Sequence, residues 1–274
     1  MKNQAPKTVL CIHDLSSLGR CSMSVIAPVL STMGHQVVAL PTAILSAHTG
    51  GLGTPVVQDC TAFGPAAVRH YQELGIEVDC IYSGYLASVE NQALVRQAFE
   101  AWPNALKIVD PVLGDKGQLY QGMDGMVDGM RELCRLADII LPNLTEAALL
   151  LDRPYPEEEL TAEQIAEFGE GLAAICPQSL MTGVRQGRDL ACIGFGKQKF
   201  EVRRQAILRG YPGTGDLFGA VLTGALLRGN ALSAAADAAA GFVVDSIKHT
   251  AADANPALGV WFEPILGRLC GGGV

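Results

Sequence analysis

Residues 8–43 read TVLCIHDLSSLGRCSMSVIAPVLSTMGHQVVALPTA, and they place two short apolar runs on either side of a longer amphipathic stretch. The runs 8–12 and 36–43 consist mostly of apolar residues, so neither face of them is clearly polar. Such runs are typical of parallel strands that helices cover on both sides. The intervening stretch, 24–33, is long enough for a helix. This part of the chain therefore predicts a βαβ unit.

The same alternation continues along the 274 residues. Further strand-like runs cover 80–86, 107–112, 138–142, 179–182 and 190–195, and helix-like stretches cover 64–74, 88–101, 125–136, 145–151 and 161–175. From about residue 216 the chain predicts three successive helices, 216–228, 233–248 and 256–269, and then a frayed end at 271–273. No linker or internal repeat divides it. We therefore predict an α/β fold in one domain, 1–274, with a doubly wound, mostly parallel central sheet flanked by helices on both faces.

The composition is typical of a compact globular protein and argues against a nucleic-acid-binding function. Hydrophobic residues make up 49% of the chain and charged residues 18%, and the formal net charge is −8. An acidic chain lacks the basic stripe that nucleic-acid binding needs. The eight cysteines form no CxxC pair, and several lie in apolar runs, which is typical of reduced core thiols. With neither a signal-peptide core near residue 1 nor a transmembrane stretch, the sequence predicts a cytoplasmic protein with no membrane partner.

The strongest local motif is Gly213-Thr214-Gly215-Asp216, which directly precedes an apolar helical stretch. Glycines allow the backbone N–H groups of a turn to point at one place, and a helix N-terminus adds positive charge there. Such a turn can bind a transferring phosphoryl group, and Asp216 in the first helical turn can act as a general base. The alternative is that Thr214 or Asp216 only caps the helix.

Three further segments place polar residues where predicted strands end. Asp110 and Asp115 can orient hydrated Mg²⁺, although Pro, Gly and Asp also simply form turns. Asn143 and Glu146 have the spacing of a capping box, and the functional alternative is that they contact a nucleotide phosphate and a metal-bound water. Thr182 and Gly183 can approach phosphates closely or simply turn.

The segments after the first three predicted strands carry hydrogen-bonding side chains and an aromatic residue. Because ligands of open parallel sheets bind beyond the carboxyl ends of the strands, these side chains should line one crevice. That mixture suits a flat polar ring. Taken singly, His48 is more often a loop residue and Tyr85 a boundary aromatic. The candidate ring-binding residues are Asp14, Thr42, His48, Thr49 and Tyr85.

Several common nucleotide and metal motifs do not occur. There is no GxxxxGK[ST], which disfavours a P-loop enzyme. The fingerprint GxGxxG does not follow the first strand, which weakens a dinucleotide dehydrogenase. The sequence has neither an HExxH motif nor a paired Cys/His array of the kind that binds zinc.

Taken together, these segments resemble the ribokinase-like superfamily and, within it, the pyridoxal kinases. The resemblance rests on SAHT at 46–49, SGYL at 83–86, DPVLGD at 110–115, PNLTE at 142–146 and GTGD at 213–216, which occur in the family's order. It implies an ATP-dependent kinase that phosphorylates the 5′-hydroxymethyl group of a B6 vitamer such as pyridoxal. It also implies a homodimer that uses Mg²⁺ and, as an additional candidate, a monovalent cation such as K⁺.

The resemblance assigns a role to each matching position. Asp216 would be the catalytic base, and Gly213, Thr214 and Gly215 would form the anion hole. Asp110, Asp115 and Glu146 would belong to the Mg²⁺–ATP environment, while Asn143, Thr182 and Gly183 would lie near the phosphates. His48, Thr49 and Tyr85 would line the pyridine pocket, together with Thr42.

Asp14 departs from the pattern of pyridoxal kinases, which place a serine at that position. An aspartate there resembles the hydroxymethylpyrimidine kinases, so a pyrimidine alcohol is an alternative acceptor. A carboxylate can also select a protonated ring nitrogen or a cationic amine. Two alternatives of other classes remain, a vitamer-binding protein without catalysis and a nicotinamide oxidoreductase.

Overall fold

A computed structural model describes residues 5–86, 88–207 and 209–271 of the chain. Its eight α-helices are α1 Met23–Thr32, α2 Phe63–Glu73, α3 Val89–Ala101, α4 Val127–Leu136, α5 Leu144–Leu150, α6 Ala162–Ile175, α7 Thr214–Leu227 and α8 Leu232–His249. The strands are β1 Thr8–Ser16, β2 Gln36–Leu45, β3 Val57–Asp59, β4 Cys80–Ser83, β5 Leu106–Val109, β6 Gly114–Asp115, β7 Gln118–Leu119, β8 Ile139–Ile140, β9 Gln178–Gln186, β10 Asp189–Gly196 and β11 Phe200–Gln205. The predicted frayed end lies, from residue 272 onward, outside the described residues, as do residues 1–4.

Nine strands form one central sheet in the order β11-β10-β9-β8-β5-β4-β1-β2-β3. The six strands from β9 to β2 pair in parallel, whereas β10, β11 and β3 pair antiparallel at the two edges. β6 and β7 form a separate two-stranded hairpin. The prediction of a mostly parallel, doubly wound sheet is confirmed.

Apolar side chains from the two faces of the sheet form two cores. One face packs against α2 to α6, with Leu10, Ile81 and Val109 among its fully buried strand residues. The other face packs against α1, α7 and α8, with Val9 and Cys80 among its buried strand residues. Since adjacent strand residues point to opposite faces, the apolar runs read from the sequence supply both cores.

The structure corrects the prediction of a helix over 256–269. That segment instead contains two 3-10 helices, Pro256–Leu258 and Glu263–Leu269. Pro256 and Pro264 lack the N–H that an α-helix interior needs, and Gly259 has a φ of 79°, outside the helical region. The strands β3, β6, β7 and β11 were not predicted, because each is short or largely polar and exposed.

Two further features concern the cysteines and the apolarity of the helices. All eight cysteines, which all fall in the described ranges, are free. Across residues 5–86, 88–207 and 209–271, none of the helices combines the length and apolarity needed to cross a bilayer.

Candidate active site

The candidate residues lie at the carboxyl ends of the parallel strands, as the topology requires. Asp14 lies near the end of β1, Asp110 directly follows β5, and Asn143 follows β8. Thr182 in β9 pairs with Asn143 through an isolated parallel bridge. Because adjacent parallel strands end at the same edge of a sheet, four strands bring these polar residues together.

A buried histidine connects the two carboxylates that the sequence assigned to the acceptor and to catalysis. The His13 Nδ1 lies 2.8 Å from Asp14 Oδ1, and its Nε2 lies 3.1 Å from Asp216 Oδ1. All three side chains are buried. The structure therefore places Asp14 and Asp216 on opposite edges of one imidazole ring.

The turn before α7 leaves the helix N-terminus open toward this group. Gly213 is the N-cap residue, with a φ of 77° and no side-chain hydrogen bond to the helix amides. A Cβ at Gly213 would collide with the carbonyl oxygen of Arg20, so glycine is required both for the conformation and for the close approach. Thr214 Oγ1 donates to the Tyr211 carbonyl oxygen at 3.1 Å, which turns this hydroxyl away from the amides. The first N–H groups of α7 are thus available to an anion.

The surroundings of Asp216 keep its carboxylate ionised. Burial alone would raise its pKa, but hydrogen bonds and charge from His13 outweigh burial and lower it. The Ser22 backbone N–H donates to Asp216 Oδ2 at 2.8 Å, and the Cys21 thiol lies 3.4 Å from the same oxygen. An ionised carboxylate at an open helix N-terminus can accept a proton from a bound hydroxyl.

Thr42 and Tyr85 lie next to each other beside Asp14. Thr42 Oγ1 donates to the Tyr85 carbonyl oxygen at 3.0 Å, at an irregularity in the pairing of β1 with β2. Pro41, just before it, has no N–H to give to the ladder. The Tyr85 side chain is half-buried, and burial together with the charge of Asp14 raises the pKa of its phenol. The half-buried Tyr85 can thus meet a ring bound against Asp14, whereas Thr42 is fully buried and supports Tyr85 from behind.

His48 contacts the C-terminal segment. Its Nε2 lies 2.6 Å from the Ala257 carbonyl oxygen, and its Nδ1 accepts the Gly50 N–H at 3.0 Å. Both ring nitrogens therefore have protein partners, and the ring is buried, whereas Thr49 is exposed. His48 thus ties Ala257 to the loop at 46–51, and neither of its nitrogens is left for a ligand.

A second group of candidate residues surrounds a cavity of about 240 Å³. Its lining includes Asp115, Asn143, Thr182 and Gly183, all assigned from the sequence to ATP or Mg²⁺. The β6–β7 hairpin is held at one side of it, since Asn143 Nδ2 donates to the Gly114 carbonyl oxygen at 2.9 Å. The structure thus places these four residues together, apart from the carboxylates at His13.

Glu146 has the structural role that the capping-box spacing predicted. Its Oε2 accepts the Asn143 N–H at 2.8 Å, its own N–H donates to Asn143 Oδ1 at 3.0 Å, and its Oε1 accepts the Leu113 N–H at 3.2 Å. Burial and the charge of Asp110 nevertheless raise the pKa of this carboxyl. Because both oxygens already accept backbone N–H groups, Glu146 can hold a metal-bound water better than a bare ion.

Asp110 lies between the two groups of residues. It is buried, and burial and the charge of Asp216 raise its pKa to about 7, while its nearest hydrogen-bond donor, the Tyr82 hydroxyl, is 3.5 Å away. A carboxylate in this situation is stabilised by a cation. Asp115 is exposed and accepts the Lys116 N–H at 2.9 Å. Within the described ranges no three His, Cys, Asp or Glu side chains form a metal cluster, and Mg²⁺ needs only one or two carboxylates with waters and phosphates.

Sequence reasoning missed His13, Ser22 and Tyr82. His13 precedes Asp14 in the quoted opening stretch, but its partner Asp216 is on α7 and only the folded sheet reveals the contact. The only signal in the sequence was a histidine at the end of an apolar strand-like run. Ser22 has a φ of 59°, which the sequence does not reveal.

Comparisons with known proteins agree with this fold. The model of the family described as phosphomethylpyrimidine kinase matches residues 20–260. A Bacteroides thetaiotaomicron protein crystallised with pyridoxal is 35% identical, with a TM-score of 0.91, and the match covers 96% of each chain. The pyridoxal kinase of Lactobacillus plantarum is 34% identical, with a TM-score of 0.90 and 96% of each chain covered. The pyridoxine/pyridoxal/pyridoxamine kinase of Bordetella bronchiseptica is 27% identical over 260 residues, which cover 89% of this chain and 90% of that one.

Proposed function

The chain belongs to the phosphomethylpyrimidine kinase family, and from this premise we propose that it phosphorylates the 5′-hydroxymethyl group of a B6 vitamer with ATP. The product is the 5′-phosphate of pyridoxal, pyridoxamine or pyridoxine, so the reaction serves vitamer salvage. The observation that carries the proposal is Asp216, an ionised carboxylate at the open N-terminus of α7 that shares His13 with Asp14. The Bacteroides thetaiotaomicron protein was crystallised with pyridoxal and the Lactobacillus plantarum protein is a pyridoxal kinase, which favours a B6 vitamer over a pyrimidine alcohol.

The proposed mechanism is in-line transfer of the terminal phosphoryl group. Asp14 and Tyr85 would hold the pyridine ring, with Thr42 supporting Tyr85 and with His48 and Thr49 at the edge of the ring. Asp216 would accept the proton of the 5′-hydroxyl as this oxygen attacks. The amides from Gly213 to Gly215 would hold the transferring group, whose charge is spread over its equatorial oxygens.

The nucleotide would bind in the cavity lined by Asn143, Thr182 and Gly183. Mg²⁺ would neutralise charge on the terminal phosphates of ATP. Asp110 is the residue best suited to hold it, while Glu146 and Asp115 would contact its water shell. A requirement for K⁺ stays a prediction that a salt-replacement assay can decide.

A coupled ADP-release assay with a panel of alcohols tests the proposal. Pyridoxal, pyridoxamine, pyridoxine and hydroxymethylpyrimidine are compared at equal concentration with Mg²⁺ and ATP, and the highest kcat/KM is expected for a B6 vitamer. A clear preference for hydroxymethylpyrimidine would mean that the acceptor is this pyrimidine alcohol and not a B6 vitamer. Vitamer binding by calorimetry without ADP release would indicate a binding protein, and NAD(H) binding would point to an oxidoreductase.

We also propose that the protein is a homodimer of single-domain chains. The edge strand β3 has all three residues exposed, and Val56, Val57, Ile44 and Phe63 expose apolar side chains near it. Exposed apolar edge strands favour pairing with another chain. Val57→Lys is therefore expected to lower the mass measured by light scattering, whereas Leu74→Lys, an exposed site on another part of the surface, should not. An unchanged mass in both variants, or a monomeric parent protein, would contradict this interface.

A cytoplasmic location is proposed on the eight free thiols, since disulfides are rare in a reducing compartment. Localisation of a tagged chain by fractionation tests it.

A further inference from the structure

His13 has two carboxylate partners and almost no access to water. Its side chain is 2% exposed, with Asp14 Oδ1 2.8 Å from Nδ1 and Asp216 Oδ1 3.1 Å from Nε2. The three groups come from two distant parts of the chain, the end of β1 and the start of α7. A buried ring between two buried carboxylates needs an explanation, because charges are buried only when they are paired.

The contacts decide which nitrogens of His13 carry protons. Each nitrogen also lies near a backbone N–H, that of Asp14 at 2.9 Å from Nδ1 and that of Tyr85 at 3.3 Å from Nε2. A neutral ring could accept one of these N–H groups, but it would then turn a bare nitrogen lone pair toward an ionised carboxylate. Charge-assisted hydrogen bonds to carboxylates are stronger than neutral ones. The two carboxylate contacts therefore favour an imidazolium that donates from both nitrogens.

The surroundings fix the ring in this place. Gly84 packs against the imidazole so closely that any Cβ there would collide with Cδ2 and Nε2. The second oxygen of Asp14 accepts the Ser16 hydroxyl at 3.0 Å, and the second oxygen of Asp216 accepts the Ser22 N–H at 2.8 Å. One hydrogen-bonded chain thus runs from β1 through His13 to α7.

Two carboxyl groups, those of Asp14 and Asp216, face the ring from opposite sides. The other titratable groups close to these hydrogen bonds are the neutral Cys21 thiol, the neutral phenols of Tyr82 and Tyr85, and the Asp110 carboxyl, which follows β5. Burial by itself lowers the pKa of His13, but hydrogen bonds and charge from Asp14 and Asp216 raise it to about 10.

We propose that His13 is a positioning residue for the proposed kinase reaction, a protonated bridge that holds the ring-binding carboxylate Asp14 and the base Asp216 in one fixed geometry. The inference rests on the proposed function. Without the bridge, nothing from His13 would offset the burial of Asp216, which raises its pKa, and this carboxylate would take up a proton more readily. The base would then be neutral at a pH at which the intact site is active.

The pH dependence of turnover in His13→Gln tests this role. Glutamine has similar length but no charge, so kcat at pH 7 should fall by about tenfold or more. The acidic limb of the kcat profile should move up by about one pH unit or more, with partial recovery of activity at higher pH. The matched control is His35→Gln, because His35 is also buried and bonds only the Gly224 carbonyl oxygen, away from the site.

A role limited to stability would give a different result. In that case His13→Gln would melt at a lower temperature but keep the parent profile below the melting temperature, and this outcome would overturn the proposal. His13→Asn, with its shorter side chain, is expected to show the same shift, so a folding failure of one variant leaves the other to decide.

A spectroscopic measurement on the unaltered protein gives an independent answer. Long-range ¹H–¹⁵N spectra of the imidazole groups, with the His13 signals assigned by their loss in His13→Gln, should show both nitrogens protonated up to about pH 8. A neutral His13 ring at neutral pH in an enzyme that phosphorylates vitamers would overturn this inference alone. If the parent protein released no ADP with any alcohol, the proposed function and the catalytic role of the bridge would both fall, whatever the spectra show.

Discussion

The helices α5 and α7 both begin at the edge of the sheet where ligands bind, and both carry an acidic residue at their third position, yet the two ends are built for different purposes. In α5 the Asn143 side chain caps the helix, and Glu146 folds back onto the Asn143 N–H. In α7 the N-cap is Gly213, which offers no side chain, and Asp216 turns away to His13 and the Ser22 N–H. A side chain thus caps the third amide of α5, whereas no side chain caps the first amides of α7.

The neighbours of the two acids shift their pKa values in opposite directions. Both are buried, and burial alone would raise either pKa. For Glu146 the charge of Asp110 acts in the same direction, and the pKa is raised. For Asp216 the contact with His13 acts against burial, and the pKa is lowered. The same position on a helix thus becomes a cap in one case and a candidate base in the other, because of what packs against it.

The largest expected effect comes from removing the charge of each acid in turn. Asp216→Asn should lower kcat by at least about 10²-fold, the low end for losing a general base. Glu146→Gln keeps a capping-box side chain and should lower kcat by less than about tenfold. Steady-state assays with saturating ATP and pyridoxal, on variants with native circular dichroism, measure both. Comparable losses in the two variants would erase the distinction drawn between α5 and α7.

Adding a methyl group at the open end of α7 should lower activity without lowering stability. Gly215 is exposed, and a Cβ built there meets no atom within 4 Å. Gly215→Ala should therefore keep or increase stability, by up to about 1 kcal/mol, because alanine favours the helix. It should also lower kcat by about tenfold, since the methyl group enters the space proposed for the phosphoryl group.

The control for that variant is Gly213→Ala, which should lose stability as well as activity. Gly213 has a φ of 77°, and its Cβ would collide with the Arg20 carbonyl oxygen. Thermal unfolding and ADP release are measured together. A Gly215→Ala protein with full activity would show that nothing binds at this end of α7.

The cap of α5 should matter for stability. Asn143→Ala removes the acceptor for the Glu146 N–H and is expected to cost about 1 kcal/mol of unfolding free energy. Urea unfolding at constant pH measures this loss. A stability equal to that of the parent protein would mean that the capping box contributes nothing, and the contrast with the uncapped α7 would lose its energetic basis.

The smallest expected effect is a dependence of stability on pH in the absence of metal. Because the pKa of Glu146 is higher in the folded chain than its unfolded value near 4.5, ionisation costs stability as pH rises above that value. Glutamine does not ionise, so the Glu146→Gln variant does not lose stability in this way. The melting temperature of the variant, relative to the parent protein, should therefore rise between about pH 4 and pH 8. A difference that falls over this interval would reverse the assigned direction.

Much of the fold followed from the sequence, because buried parallel strands are nearly continuous apolar runs. The run at 8–12 and the run at 107–112 both became central strands, β1 and β5. The edge strands β3 and β11 escaped prediction because their residues are mostly exposed or half-buried and resemble loops. The helix predicted over 256–269 was wrong because a count of apolar residues gave too little weight to two prolines and Gly259.

The candidate site was predictable where a motif is local and unpredictable where it depends on distant contacts. The turn at Gly213 and the capping box at Asn143 are both contained in four residues, and the structure has them as helix starts. The roles assigned to their side chains in catalysis and nucleotide binding stay predictions. His13 was missed because a histidine in a sequence does not show which carboxylates the fold brings to it.

The bond between the Ser22 N–H and Asp216 joins residues 194 positions apart. A ribosome makes the chain from its N-terminus, so β1 and its His13–Asp14 pair exist long before their third member. At a synthesis rate of about 5–20 residues per second, the delay is on the order of 10–40 s. During that time the sheet face that packs on α7 and α8 has only α1 to cover it. Newly made chains thus pass through a period in which an apolar surface and an incomplete charged group are both open to chaperones and to aggregation.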